Sequence, residues 1–288
     1  MNLTLYRVSA FPQGALGGNE AGVVLEAEGL SEEEMLAIAK RVNYSETAFL
    51  LPSELADFKL RYFSPTVEVP LCGHATIATF NLMRNLDMIE EKTYTIETKE
   101  GILNVKIEAD MVYLQLAKPK FKDTVDTKDL KELGLDLNEL NDYKPCVVST
   151  GINEIFVGVK SLDYLNALAL DEEKILALCK KHDSLGLYVY TLETKFDADA
   201  HGRNFIPTIG VYEESATGTA SGALACYLNR YVDQNKLAFT FEQGYALYKP
   251  STIIVKLTKD HEKITDIYVG GRMRFIDKIV GFNPNQAL

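Results

Sequence analysis

The sequence predicts an α+β protein built from two similar halves, and three observations carry that reading. Strand-like runs outnumber helical ones about two to one, without the regular strand–helix alternation of a parallel sheet. One stretch occurs twice. Its first copy is Arg61-Tyr-Phe-Ser-Pro65 followed by Leu71-Cys-Gly-His-Ala-Thr-Ile-Ala-Thr-Phe-Asn-Leu-Met83; its second is Arg203-Asn-Phe-Ile-Pro207 followed by Ala216-Thr-Gly-Thr-Ala-Ser-Gly-Ala-Leu-Ala-Cys-Tyr-Leu228. No Asp, Glu, Lys or Arg occurs from Leu71 to Met83 or from Ser215 to Asn229. A helix uncharged on every side is a buried one.

Aligning Gly73 with Gly218 also pairs Ala75 with Ala220, Ala78 with Ala223 and Met83 with Leu228. The proline-to-glycine spacing is eight residues in the first copy and eleven in the second. Each copy reads as a strand, a turn at proline, and a loop whose glycine opens a helix. Two such helices present N–H groups without intrahelical partners, which suits an anion. Two core helices with tight turns before them would leave the same pattern.

At 288 residues there is room for one large domain or two ordinary ones, and the duplication favours two. Hydrophobic content of 47% and charge of 25% are those of a soluble globular protein. A net charge of −11 without a basic run argues against a nucleic-acid or anionic-membrane partner. With no 18-residue apolar span and no signal-like N-terminus, a cytoplasmic location is expected. Cys72, Cys146, Cys179 and Cys226 form no C-x-x-C pair, and His74, His182, His201 and His261 are scattered. No sequence-local ligand set points to a metal, so none is predicted.

In chain order, Thr4 to Phe11 is the opening strand, followed by the loop Gly14-Ala-Leu-Gly-Gly-Asn19 and a strand from Ala21 to Leu25. Glycines there allow close backbone approach to a ligand or make a simple turn. No helix of suitable pattern follows, which excludes a dinucleotide fingerprint. Ser31 starts a helix, with Ser31 and Glu34 as a capping box and Met35, Ile38, Ala39 and Val42 as the apolar stripe. Tyr44 to Leu51 is a strand, with Tyr44, Glu46, Ala48 and Leu50 on one face and Ser45, Thr47, Phe49 and Leu51 on the other. Glu46 thus sits among apolar neighbours, where a carboxylate is either paired structurally or shifted for proton chemistry.

Residues 58–64, 93–98, 102–108 and 111–116 are strands, with a turn at Ala109-Asp110. Segment 117–145, rich in Lys and Asp and carrying a short helix near 127–133, is read as the join between halves. Strands at Cys146–Ser149 and Glu154–Val159, a helix at Glu172–Lys181 and a strand at Leu185–Leu192 follow. That last strand takes the place of Tyr44–Leu51 but has no glutamate in its middle. Beyond the second core helix come strands at 237–242, 251–258, 264–269 and 272–280.

Five stretches carry a family likeness. Gly18-Asn19, Ser45-Glu46-Thr47, Pro70-Leu-Cys-Gly-His-Ala-Thr76, Glu213-Glu-Ser-Ala-Thr-Gly-Thr-Ala220 and Glu242-Gln-Gly244 resemble, in order, the motifs of the PhzF-like family of phenazine biosynthesis. The resemblance implies the diaminopimelate-epimerase-like fold: two pseudo-symmetric α+β domains, each a curved, mostly antiparallel sheet wrapped around a central buried helix, with the site in the cleft between them. On that fold the halves are 1–118 and 119–288, with about 279–288 packing back onto the first. It also implies a homodimer and no cofactor. Glu46 matches the family's acid/base glutamate and His74 the histidine opening the first core helix. Asn19 and Gly73 match cleft positions, and Gly218 the glycine that opens the second helix. Glu214 falls where the family usually has Asp, Thr219 where it has Ser, Glu20 where it has Pro, and Lys249 where Arg is common. The longer arm of Glu214 puts turnover of the phenazine-pathway substrate itself in doubt, and Lys249 cannot make Arg's bidentate clamp.

The expected activity is an isomerisation. Glu46 takes a proton from one carbon of a small carboxylate substrate and returns it to another. Backbone N–H groups of Gly73, His74, Gly218 and Thr219 hold the carboxylate. His74 and Glu214 orient the substrate or relay protons, and Thr219 assists by a hydrogen bond. From residue type alone, His74 and Thr219 could equally complete the helix starts, and Glu214 could stabilise a helix dipole. Two other functions stay open. A racemase of this fold uses one thiol at each helix start; here Cys72 has Thr217 opposite it in the repeat, and a hydroxyl is too weak an acid to replace a thiolate. A non-catalytic small-carboxylate-binding protein would keep the cleft and lose turnover.

Overall fold

The computed structural model describes residues 3–283. These form two compact units, 3–115 with 270–283, and 116–269. The first contains β1 (Leu3–Ala10), β2 (Asn19–Val24), α1 (Glu32–Val42), β3 (Glu46–Leu51), β4 (Phe58–Phe63), β5 (Glu68–Val69), α2 (Gly73–Asn85), β6 (Thr93–Thr98), β7 (Gly101–Glu108) and β8 (Met111–Leu116). The final strand, Met273–Phe282, runs antiparallel to β1, and β1 is antiparallel to β2. Of the returning segment expected at 279–288, residues 284–288 lie outside the described ones. Strands β2 and β3 are parallel, β3 and β4 antiparallel, and β4 takes β5 antiparallel and β6 parallel before the β6–β7–β8 meander.

The sequence accounts for both helices. Ser31 and Glu34 close a capping box at 2.8 and 3.2 Å, and Asn43, in a left-handed conformation, ends α1. The expected stripe of Met35, Ile38, Ala39 and Val42 is buried with Leu5, Val24, Phe49 and Phe63. Helix α2 is buried at every residue from His74 to Met83, so a charge there would have no water to face. Its polar side chains turn back on the helix: Thr76 and Thr79 donate to the carbonyls four residues before at 2.7 Å, and Asn81 at 2.9 Å.

The second unit holds β9 (Lys120–Thr124), α3 (Thr127–Leu133), β10 (Cys146–Ser149), β11 (Asn153–Val159), α4 (Leu162–Ala167), α5 (Glu172–Lys181), β12 (Gly186–Thr191), β13 (Ala200–Ile206), β14 (Val211–Glu214), α6 (Gly218–Tyr231), β15 (Ala238–Gln243), β16 (Ser251–Asp260) and β17 (Lys263–Gly271). Its pairing repeats the first unit: β11 and β12 parallel, β12 and β13 antiparallel, and β13 taking β14 antiparallel and β15 parallel. Leu130, Leu133, Ile175 and Leu178 of α3 and α5 share a core with Ile155, Val157, Leu187 and Val189. Helix α6 is buried from Ala220 to Asn229. The α+β expectation therefore holds. Segment 117–145 is more than a join, because β9 pairs with β10. Its charged, largely exposed residues hid it from a search for apolar alternation.

The repeated Arg-x-Phe is a clamp that ties a short strand to a long one just ahead of each core helix. Arg61 grips Glu68 with two bonds of 2.7 Å and lies 5.1 Å from the Phe63 ring centre. Arg203 grips Glu213 at 3.0 and 2.7 Å and lies 4.8 Å from that of Phe205. Such two-pronged pairs fix geometry as well as charge. The Arg61 guanidinium holds Glu68 below the usual carboxylate range, so its stabilising effect is present above that range and is lost as pH falls through the lowered value. The two clamps differ in burial, with side chains 21% and 4% exposed for Arg61 and Glu68 against 7% and 2% for Arg203 and Glu213. We expect Glu213→Ala, which strands a buried guanidinium, to cost about 3–5 kcal/mol. Glu68→Ala, where Arg61 keeps Glu32 at 2.7 Å, should cost about 1–2 kcal/mol. Urea denaturation of the two variants measures both, and equal losses would show that burial does not set the difference.

Candidate active site

Helix α2 begins at Cys72, whose backbone is extended (φ −136°, ψ 109°) and whose side chain does not cap the helix. The first intrahelical bond runs from Thr76 N–H to Cys72 O at 3.1 Å, so the N–H groups of Gly73, His74 and Ala75 have no intrahelical acceptor. Three side chains from two strand starts converge on His74. Asn19, first residue of β2, places Nδ2 3.3 Å from Nδ1. Ser45 Oγ is 3.4 Å from Nε2, and Glu46 Oε2, at the first residue of β3, is 3.5 Å from it. Gly18 makes the approach of Asn19 possible: its φ is +85°, and a Cβ there would lie 2.4 Å from Ser9 Oγ and 2.5 Å from Ala10 O. The glycine loop is thus required by the protein's own backbone.

If the Asn19 amide donates to Nδ1, Nε2 of His74 carries the proton and faces Glu46 and Ser45. Cys72 Sγ lies 3.4 Å from His74 Nδ1 and 3.6 Å from Glu46 Oε2. These contacts are long, as in sites that tighten around a ligand. The alternation in β3 leads one to expect apolar surroundings for Glu46, but its nearest partners are the thiol and the imidazole. Strand pairing starts at Glu46, so Ser45 escapes the alternation and turns to the same histidine. Glu46, Cys72 and His74 offer oxygen, sulfur and nitrogen atoms all within 4.8 Å, a donor set able to take a soft divalent cation. A local motif search could not find it, because Glu46 is 26 residues from Cys72.

Helix α6 begins in the same way at Thr217 (φ −124°, ψ 101°), with no side-chain cap. The acidic pair before it divides its work. Glu213 is clamped by Arg203, while Glu214 Oε2 lies 2.5 Å from Thr217 Oγ1. Thr217 Oγ1 also accepts from Asn204 Nδ2 at 3.0 Å and Gln243 Nε2 at 3.2 Å, and its N–H donates to Gln243 Oε1 at 3.1 Å. Gly218 is the buried first residue of α6, and Thr219, half-buried, accepts from Thr150 Oγ1 through its carbonyl at 3.0 Å. Of the predicted site residues, then, Asn19, Glu46, Gly73 and His74 gather at one helix start, and Glu214, Gly218 and Thr219 at the other. Cys72, Ser45, Thr217 and Gln243 were not predicted as site residues, although all four lie inside the quoted motifs. Glu242 is structural, accepting from His201 Nδ1 at 2.8 Å and from the N–H groups of Lys195 and Phe196. Lys249 closes a turn through its N–H to Gly244 O at 3.0 Å.

The sequence profile of the phenazine biosynthesis-like proteins, PhzC-PhzF, matches residues 8–276. The chain belongs to that family. It is 38% identical over 263 residues to the uncharacterized isomerase YfhB of Bacillus subtilis, covering 88% of this chain and 90% of that one. A crystal structure of a PhzF-family phenazine biosynthesis protein from Bacillus anthracis superposes with a TM-score of 0.90 at 33% identity, over 97% and 99% of the two chains. A hydroxyproline epimerase from Agrobacterium vitis shares the fold at a TM-score of 0.61 and 14% identity, over 98% and 92%. The expected PhzF-like isomerase on a diaminopimelate-epimerase-like fold holds. No helix of the described residues is long and apolar enough to cross a membrane.

Cys72 is distinguished from the other thiols by its surroundings. Burial pushes Cys146 up to about 11 and Cys179 and Cys226 up to about 12, so at pH 8 these three stay protonated and shielded. Iodoacetamide at pH 8 is expected to label Cys72 at least about tenfold faster than the rest. Peptide mass mapping of a time course reads this out, and Cys72→Ser should remove the fast phase.

Proposed function

We propose that the chain catalyses a cofactor-independent 1,n-type isomerisation of a small carboxylate, moving a proton from one carbon to another. Glu46 takes the proton and redelivers it, and His74, held by Asn19 and Ser45, orients the substrate and shares the proton load. The observation that carries this reading is the convergence of Glu46 and His74 on the start of a helix buried from His74 to Met83. The N–H groups of Gly73 and His74 bind the substrate carboxylate there, as a helix N-terminus favours an anion. Glu214, Gly218 and Thr219 are proposed to serve the same reaction, with Glu214 kept an acceptor by the Thr217 hydroxyl.

The contacts of Cys72 favour a second reading, a thiol-based epimerase. It is the weaker one, because the matching position at the other helix start is Thr217, whose hydroxyl is engaged by Glu214. The proposed working form is a cytoplasmic homodimer, and analytical ultracentrifugation giving the monomer mass at micromolar concentration would remove that part. Proton NMR in deuterium oxide over a panel of amino acids and cyclic hydroxy- or amino-carboxylates tests the chemistry. Deuterium should enter one substrate with positional isomerisation, and Glu46→Gln should lower kcat by about 10²–10⁴-fold. Cys72→Ser should change it by less than about threefold. The reverse ranking, with loss of chirality at one carbon, would replace the isomerisation by the epimerase reading.

A further inference from the structure

The donor atoms of Glu46, Cys72 and His74 are spaced for more than proton transfer. Residues two apart in a helix do not face each other, yet Cys72 Sγ lies 3.9 Å from His74 Nε2. The extended backbone of Cys72, just outside the helix, brings its side chain back to the ring. Glu46 reaches both from the start of β3, with Oε2 3.6 Å from Sγ and 3.5 Å from Nε2. A sulfur, an oxygen and a nitrogen thus form a triangle. A zinc ion held tetrahedrally by such donors, at bond lengths of about 2.0–2.3 Å, sets them about 3.3–3.6 Å apart. Two sides of the triangle match, and a small turn of a side chain closes the third.

The electrostatics agree with the spacing. A thiolate and a carboxylate balance the two charges of the cation, so the buried Cys72 and His74 take up no net charge with it. The positive end of α2 disfavours a bare cation but favours those two anions. With Nε2 on the metal, the ring proton sits on Nδ1. The Asn19 side chain, 3.3 Å away, accepts it through its amide oxygen once turned over, the usual support for a histidine ligand. The helix start itself does not require these donors. The second one builds nearly the same backbone (φ −124°, ψ 101°) with Thr217 in place of Cys72. Thr219 stands there for His74, and β12 opens with Gly186 where β3 opens with Glu46. Among the described residues, no other three Cys, His, Asp or Glu side chains bring donor atoms this close together. His182 with Asp129 and His261 with Asp260 supply two donors each.

We propose that Glu46, Cys72 and His74 bind one soft divalent cation of the zinc class, which stops the proposed isomerisation by taking its base. The shut-off rests on that reading of the site, and the binding does not. As the sulfur–metal bond forms, the thiol proton leaves to solvent. The carboxylate and the imidazole each give a lone pair, and no electron is transferred. The fourth corner of the tetrahedron is left to water or to a carboxylate. Magnesium and calcium, which take sets of oxygen donors, are not held.

Zinc chloride added to the full chain tests binding without reference to turnover. Isothermal titration calorimetry at neutral pH should give one zinc per chain. The affinity should fall at least about a hundredfold in Cys72→Ser and in His74→Gln, and about tenfold to a hundredfold in Asn19→Ala. An equimolar amount of zinc should slow the iodoacetamide labelling of Cys72 at least about tenfold, because the thiolate is no longer free to attack. Millimolar magnesium or calcium should leave that labelling unchanged. The labelling needs no variant, so it decides the matter even if a substitution prevents folding. Unchanged labelling in the presence of zinc, or a Cys72→Ser protein that binds zinc as tightly as the wild type, overturns the site. With a turned-over carboxylate in hand, zinc should lower kcat by about 10²-fold or more, and a chelator should restore it. Full turnover with zinc bound overturns the shut-off. Protection of Cys72 by zinc, in a protein inactive on every carboxylate tried, upholds the site and overturns the isomerase reading instead.

Discussion

The burial of α2 and α6 on all sides constrains everything else at the two helix starts. Neither helix carries a charge before its last turn, where Arg84 and Arg230 sit, because no water is there to solvate one. Acid and base groups must therefore be brought to the helix start from flanking strands. In the first unit the carboxyl group arrives on the first residue of β3, and in the second on the last residue of β14. The helix start contributes N–H groups that have no intrahelical acceptor and the positive end of its dipole. Cys72 and Thr217 occupy the capping positions without capping, and their side chains turn instead to Glu46 and His74 in one unit and to Glu214 in the other.

Duplication has kept the scaffold and let these positions diverge. The scaffold includes two parallel pairings in the same order, a short antiparallel strand before the helix, and the arginine clamp over a phenylalanine. Next to the clamp the copies part. Tyr62, beside Arg61, is fully buried and bonds Thr76 at 2.6 Å within the helix. Asn204, beside Arg203, reaches the capping Thr217 instead. Replacing an aromatic side chain by a short amide opens a polar route under the second helix start, and Tyr188 and Gln243 line its way. A hydrogen-bonded interior of this kind is useful only when every member is satisfied, which is why the direction of each bond matters.

The sequence was legible where local chemistry and tertiary structure agree. The α1 capping box and its four-residue stripe are local statements, and all of them stand in the structure. The uncharged stretches were legible because burial removes charge along a whole helix. Strands β5 and β14 were not, since two and four residues are too short for alternation to register. Glu46 stood out as a carboxylate in an apolar run, and His74 through its place beside the repeated glycine. The contact between them was invisible, because it depends on how α2 packs against β3, which no local pattern records. Thr217 was read as a thiol that is missing, whereas its hydroxyl has a partner of its own.

The repeat places a carboxyl group at matching steps of its two copies, Glu46 on β3 and Glu154 on β11. A base that must meet substrate carbon has to be reachable, and the Glu46 side chain is 17% exposed with a thiol and an imidazole close by. A group at 3% exposure cannot touch a substrate and acts through its neighbours or not at all. Placing the second carboxyl on β11 rather than β12 withdraws it by one strand, and Gly186 leaves the space that this needs. A glutamate on β12 at that step would compete with the one on β11 for the same volume. Gly186 is therefore what lets the second unit bury a carboxyl group on β11 at the step where the first unit sets the proposed base on β3.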